Sequence, residues 1–235
     1  MTTTLASKRS KYRSLLAIPA VAASVVGGVW VAGGVVSNDF KTSMALTAAW
    51  FVLSGAACLV LARRFRALRV AVICTYVVTA GGLGAYLGLT TLRDRVVDER
   101  VVTAAPATTS GESAPGEPAR REPASGAVEL ASARFRSHEH ATAGTAAIVR
   151  LADDRRFLTL TSFETSPGPD LRVRLTPAGS IDGGVDGAVD LGALKGNRGN
   201  QQYAIPPGIK ISGRTVLIWC RAFSAPFGSA RLPNT

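Results

Sequence analysis

Cys220 and the pair His138 and His140 are the residues of this chain whose types and spacing could do chemistry. The 235 residues include three cysteines and two histidines. Cys58 and Cys74 lie in apolar runs, where cysteine is a small packing residue. Cys220 is alone in the second half, so it has no intramolecular disulfide partner there. Three readings stay open for it. It is an inert strand residue sharing a face with Val216 and Ile218; or a partly exposed thiol, activated by Arg or His, that cycles through sulfenic acid or a mixed disulfide; or a thiolate ligand to metal or haem. In a strand, His138 and His140 would share a face, and a cysteine with two histidines resembles a blue-copper ligand set. The only methionines, however, are Met1 and Met44, and no Cys-x-x-Cys-His is present. His138 and His140 are therefore only weak metal candidates. The plainer reading is a solvated pair at the entrance to a domain. No metal site is expected, and the sequence names no cofactor.

Other chemistry finds little support. Gly183, Gly184, Gly187 and Gly192 lack phosphate-loop spacing. Gly196-Asn197-Arg198-Gly199-Asn200, with Lys195, could cradle an anion through backbone amides and two cations, or could simply be a turn needing left-handed residues. Asp153, Asp154 and Asp170 read as turn residues. Nothing resembles a catalytic triad or a carboxylate pair, so the chain does not read as a conventional enzyme.

The elements that carry these residues begin with three apolar runs, Leu15–Val36, Met44–Ala62 and Val70–Leu92. At about 1.5 Å per residue each is long enough to cross about 30 Å of hydrocarbon as a helix. None holds a charged residue or a histidine, which argues against an ion path or proton relay. The first run is too long for a signal-peptide core. Ala23 and Gly27, Gly28 and Ala32, and Gly84 and Gly88 recur at four-residue spacing, as helices that approach closely in lipid do. Packing within the chain is the expectation, with a helix dimer as the alternative.

The net charge of +11 does not signal nucleic acid. Residues 1–92 hold nine basic side chains against one acidic, and the excess flanks the runs. Lys8, Arg9, Lys11 and Arg13 precede the first; Arg63, Arg64, Arg66 and Arg69 separate the second from the third. Basic short loops stay cytoplasmic. The expectation is a multi-pass plasma-membrane protein, N-terminus inside and C-terminal half outside. Its partners are the lipid bilayer and an envelope redox or binding partner. Low Lys with high Arg, Ala and Gly suggests a bacterial source.

Residues 93–126 read as a flexible linker, since Thr103–Ser125 is rich in Ala, Pro, Ser, Thr, Gly and Glu. Residues 127–235 change to short β-rich runs separated by turn chemistry. Strands are expected near 146–151, 157–163, 171–175, 202–205 and 215–223, the last a central one, with no helix. The fold class is three transmembrane helices, a linker and an all-β sandwich or barrel.

Three strings carry a resemblance: FETSPGPDLRVRLTP (Phe163–Pro177), LGALKGNRGNQQYAIPPG (Leu191–Gly208) and TVLIWCRAFSAPFGSARL (Thr215–Leu232). Together they resemble the DM-thirteen, or electron-transfer DM, domain over about Ala133–Leu232. The resemblance implies an all-β fold with a single redox-active cysteine, which falls on Cys220. It also gives His140 a better claim than His138. The function it implies is a membrane-anchored extracytoplasmic electron-transfer module centred on Cys220. The alternative is a non-catalytic envelope module that binds a ligand or partner, with the cysteine structural.

Overall fold

The structure, a computed structural model, describes residues 2–37, 39–104 and 126–234, with side chains from Leu16 onward. The chain divides into two units, one of the residues through Leu92 together with Arg221–Ser224, the other of Arg93–Cys220 together with the residues from Ala225 onward.

The helical unit comprises α1 (Thr2–Gly34), α2 (Phe40–Arg64) and α3 (Arg69–Leu92), with a 3-10 turn at Arg66–Leu68. All three helices are long and apolar enough to cross a membrane. A helix satisfies its own backbone groups, which is what an apolar surrounding demands. α1 ends two residues short of the expected Val36. α2 starts at Phe40, before the expected Met44, because Asp39 caps it. The Asp39 carboxylate accepts the Thr42 amide at 2.6 Å, and hydrogen bonding from the Thr42 side chain and then from its amide holds the Asp39 pKa below the ordinary value. Gly28 lies directly against the Trp50 indole, where any Cβ would collide. The expected close packing within the chain is realised there. It is not realised at Gly84 and Gly88, which have nothing within 4 Å of a would-be Cβ.

The β unit is a sandwich rather than a closed barrel. One sheet has the order β1 (Val128–Arg134), β3 (Thr142–Arg150), β4 (Arg156–Thr165), β7 (Arg198–Ile205). The other runs β2 (Arg136–Ser137), β9 (Ala225–Arg231), β8 (Thr215–Cys220), β5 (Leu171–Thr176), β6 (Val189–Ala193). The pairs within each sheet are antiparallel. Alternation decides the core. In the first sheet Ile148, Leu158 and Tyr203 are cross-strand neighbours, as are Ala146, Leu160 and Gln201, and all six are buried. In the second, Leu175 pairs with Val216 and Val173 with Ile218, each fully enclosed. The two sheets meet at Thr142, whose hydroxyl lies 2.8 Å from the Thr165 hydroxyl and donates or accepts there, and 3.1 Å from the Phe227 carbonyl.

Four strands escape a sequence reading: β1, β2, β6 and β9. β9 contains Pro226 and Gly228, both poor strand formers. The strand tolerates them because its register with β8 shifts there, between Ile218 and Trp219. β8 ends at Cys220, three residues short of the expected Phe223, and is central as expected.

The expected linker also needs correction. Residues 94–102 do not dangle; they lie along the β7 edge. The Val97 amide donates to the Arg198 carbonyl at 2.9 Å, and the Glu99 amide to the Asn200 carbonyl at 2.8 Å, in parallel sense. The remainder of the expected linker, residues 105–125, lies outside the described residues.

Candidate functional site

Cys220 is the last residue of β8, a strand buried at all six positions. Its backbone neighbours are Leu171 on β5 and Ala225 on β9. Strand alternation puts it on the face of Val216 and Ile218, as expected, and no part of it reaches solvent. On the opposite face, Trp219 is covered by the loop at Gly183. Cys220 forms no disulfide; Cys58 and Cys74 lie on α2 and α3. The thiol is therefore sealed in the native fold, not partly exposed as direct reactivity requires.

His138 and His140 do not share a strand face. They sit in the bend between β2 and β3, which wraps over β9: the His138 amide donates to the Phe227 carbonyl at 3.0 Å and the Glu139 amide to the Pro226 carbonyl at 3.1 Å. The rings then part company. His138 Nε2 lies 2.7 Å from Ser229 Oγ, and the His140 ring packs on Phe227 with centroids 4.0 Å apart. Desolvation lowers both pKa values; Glu139 opposes this at His138. His138 is exposed, as expected of a solvated residue at the domain entrance, whereas His140 is half-buried. Among the described residues no three His, Cys, Asp or Glu side chains come together as a metal site, Cys220 with the two histidines included.

The turn before β7 has the richest polar geometry. Lys195 Nζ donates to both Glu99 carboxylate oxygens, at 2.8 and 2.9 Å, and to the Gln202 carbonyl at 2.8 Å. The Gln202 amide adds a bond to Glu99 at 3.0 Å. Burial raises the Glu99 pKa, but Lys195 and Gln202 outweigh it and hold the carboxyl below its ordinary value. Asn197 Nδ2 donates to Asp94 at 2.8 Å, and Asn200 Nδ2 to Asp98 at 2.7 Å. Beneath them the Tyr203 hydroxyl donates to Gln201 Oε1 at 2.7 Å, and burial pushes its pKa up. Lys195 and Arg198, possible anion holders by sequence, face the chain's own carboxylates: Lys195 holds Glu99, and Arg198 lies 4.0 Å from Asp94. Asp94, Asp98 and Glu99 do not stand out in the sequence as site residues. Their signal was the β-branched pairs Val96-Val97 and Val101-Val102 in an otherwise linker-like stretch.

Asp153 pairs with Arg155 at 2.7 Å at the β3–β4 turn, so its role is local, as expected of a turn residue.

No curated protein and no solved structure matches the chain. The sandwich that carries Cys220, His138, His140 and the β7 edge matches the electron transfer DM13 family model from residue 134 to residue 232.

Proposed function

We propose that the protein is a membrane-anchored electron-transfer module whose β domain works on the outer face of the plasma membrane. The single observation that carries the redox reading is the match of residues 134–232 to an electron-transfer family. The anchoring rests on three helices of membrane-crossing length. The orientation rests on the two basic clusters, Lys8–Arg13 and Arg63–Arg69, which favour a cytoplasmic N-terminus. Three crossings then put the β domain outside.

Cys220 is the residue on which the redox role centres in this proposal. Its burial means that electrons, not a reagent, would have to reach it, or that the end of β8 must open. The same burial favours a second reading, in which Cys220 is a core residue and the β domain is a binding module.

One set of measurements on the full chain in detergent separates the two. Protein-film voltammetry, a visible absorption spectrum and metal analysis are recorded for the wild type and for Cys220→Ala. A reversible redox wave that is lost or moved in the variant supports the first reading. A silent wild type, or a wave indifferent to Cys220→Ala, sinks the cysteine-centred version. A reporter fused after Thr235 that is active only in the cytosol sinks the orientation.

A further inference from the structure

The β7 edge is built to receive a backbone. A Cβ at Gly196 would fall 2.5 Å from the Arg95 carbonyl oxygen and 2.8 Å from Val97 Cγ2. At Gly199, where φ is +101°, a Cβ would collide with the Val97 carbonyl. Both positions lack side chains where residues 95–97 pass. The Asn197 side chain binds this passing chain from both of its ends. Its Oδ1 accepts the Arg95 amide at 2.6 Å, while its Nδ2 donates to Asp94. Gln202 Oε1 accepts the Val102 amide at 3.0 Å. Lys195, Asn197 and Asn200 each hold a carboxylate.

Receptor and occupant come from different parts of the chain. Lys195, Gly196, Asn197, Gly199, Asn200 and Gln202 lie within the matched residues 134–232, whereas Asp94–Val102 lies outside them. An unpaired strand edge is a template for another extended chain. We propose that the β7 edge is a docking site for an extended acidic peptide segment of a partner protein, and that Asp94–Val102 is an internal pseudo-ligand that occupies it. A partner strand would bind in the same parallel sense, with carboxylates on Lys195, Asn197 and Asn200. Because the strap is covalently attached, its effective concentration is high, and a partner must compete with it. Weakening the strap therefore raises apparent affinity for an acidic peptide.

The test uses the full chain in detergent micelles and a fluorescent peptide with the sequence of Arg93–Val102. One variant combines Asp94→Asn, Asp98→Asn and Glu99→Gln, leaving the receptor edge intact. Hydrogen exchange follows the Val97 and Glu99 amides, and fluorescence anisotropy follows the peptide. The expected result is that the variant loses protection at both amides and binds the peptide at least tenfold more tightly than the wild type. Adding Lys195→Ala to the variant then removes binding, and a peptide with Asn and Gln for its acids binds neither protein. A variant that loses strap protection without gaining peptide affinity overturns the proposal, as does binding indifferent to Lys195→Ala. Unchanged protection in the variant overturns the carboxylate grip, and dimerisation of the variant that excludes the peptide assigns the edge to a second copy.

Discussion

Lys195 grips both carboxylate oxygens of Glu99, a residue 96 positions earlier in the chain, at 2.8 and 2.9 Å. The ion pair is partly open to water, with 41% of the lysine side chain and 32% of the glutamate exposed. Solvent screens such a pair, so its own contribution is modest. What makes it consequential is the parallel backbone pairing beside it.

Acid should release the strap. Glu99 has a depressed pKa in the folded state, so its contribution is complete above its ordinary value of about 4.5 and is lost as pH falls through the lower folded value. Lys195 and the Gln202 amide face Glu99, and Arg198 faces Asp94 at 4.0 Å and Glu164 at 2.9 Å. The Val97 and Glu99 amides should lose hydrogen-exchange protection below about pH 4.5 while β8 amides stay protected. Simultaneous loss in both places would mean that acid unfolds the sandwich and does not act on the strap.

A second pH window belongs to the histidines. His138 and His140 both have depressed folded pKa values, so the unfolded chain takes up protons first as pH drops below about 6.5. Stability should fall as pH goes down through the folded values. At His138 the facing groups are Glu139, which opposes the shift, and the Ser229 hydroxyl; at His140 it is the Phe227 ring. Urea midpoints measured above and below that window should differ, and His140→Phe should shrink the difference.

Cys220 should resist thiol reagents. In a full chain carrying Cys58→Ala and Cys74→Ala, a charged maleimide should modify Cys220 only after denaturation, because the residue has no exposed surface. Cys220→Ser should lower stability, read as a lower urea midpoint, because it changes a fully buried side chain. Rapid modification of the native protein would show that the end of β8 opens.

Gly144 is fixed by backbone conformation. Its φ is +113°, at the register shift between β3 and β4, and a Cβ would fall 2.8 Å from Phe163 Cα and 2.9 Å from the Thr161 and Ser162 carbonyls. Gly144→Ala should destabilise the sandwich by about 2–3 kcal/mol, read as a lower urea midpoint. Gly208→Ala meets no neighbouring atom, so it isolates the effect of positive φ alone and should cost less.

Much of this architecture is legible in one dimension. The apolar runs announce α1, α2 and α3, and β3, β4, β5, β7 and β8 show as runs rich in β-branched and apolar residues. β9 does not, because Pro226 and Gly228 obey a register shift that exists only once β8 lies beside them. The parity of Val216, Ile218 and Cys220 is readable along β8, since alternation is local. Whether Cys220 reaches solvent is not, because that depends on what the facing strands and loops cover.

The order of residue types along the chain determined three helices of membrane-crossing length, the β character of the second half and its likeness to one family, because periodicity, length and short motifs are properties of neighbouring residues. Tertiary structure alone decided that Cys220 is sealed, that His138 and His140 serve different contacts, and that Asp94–Val102 lies along β7 instead of hanging free. Each of these turns on which distant segment lies alongside another. The cause is long-range pairing, in which a carboxylate at position 99 finds its ammonium at position 195 only after the sheet has formed.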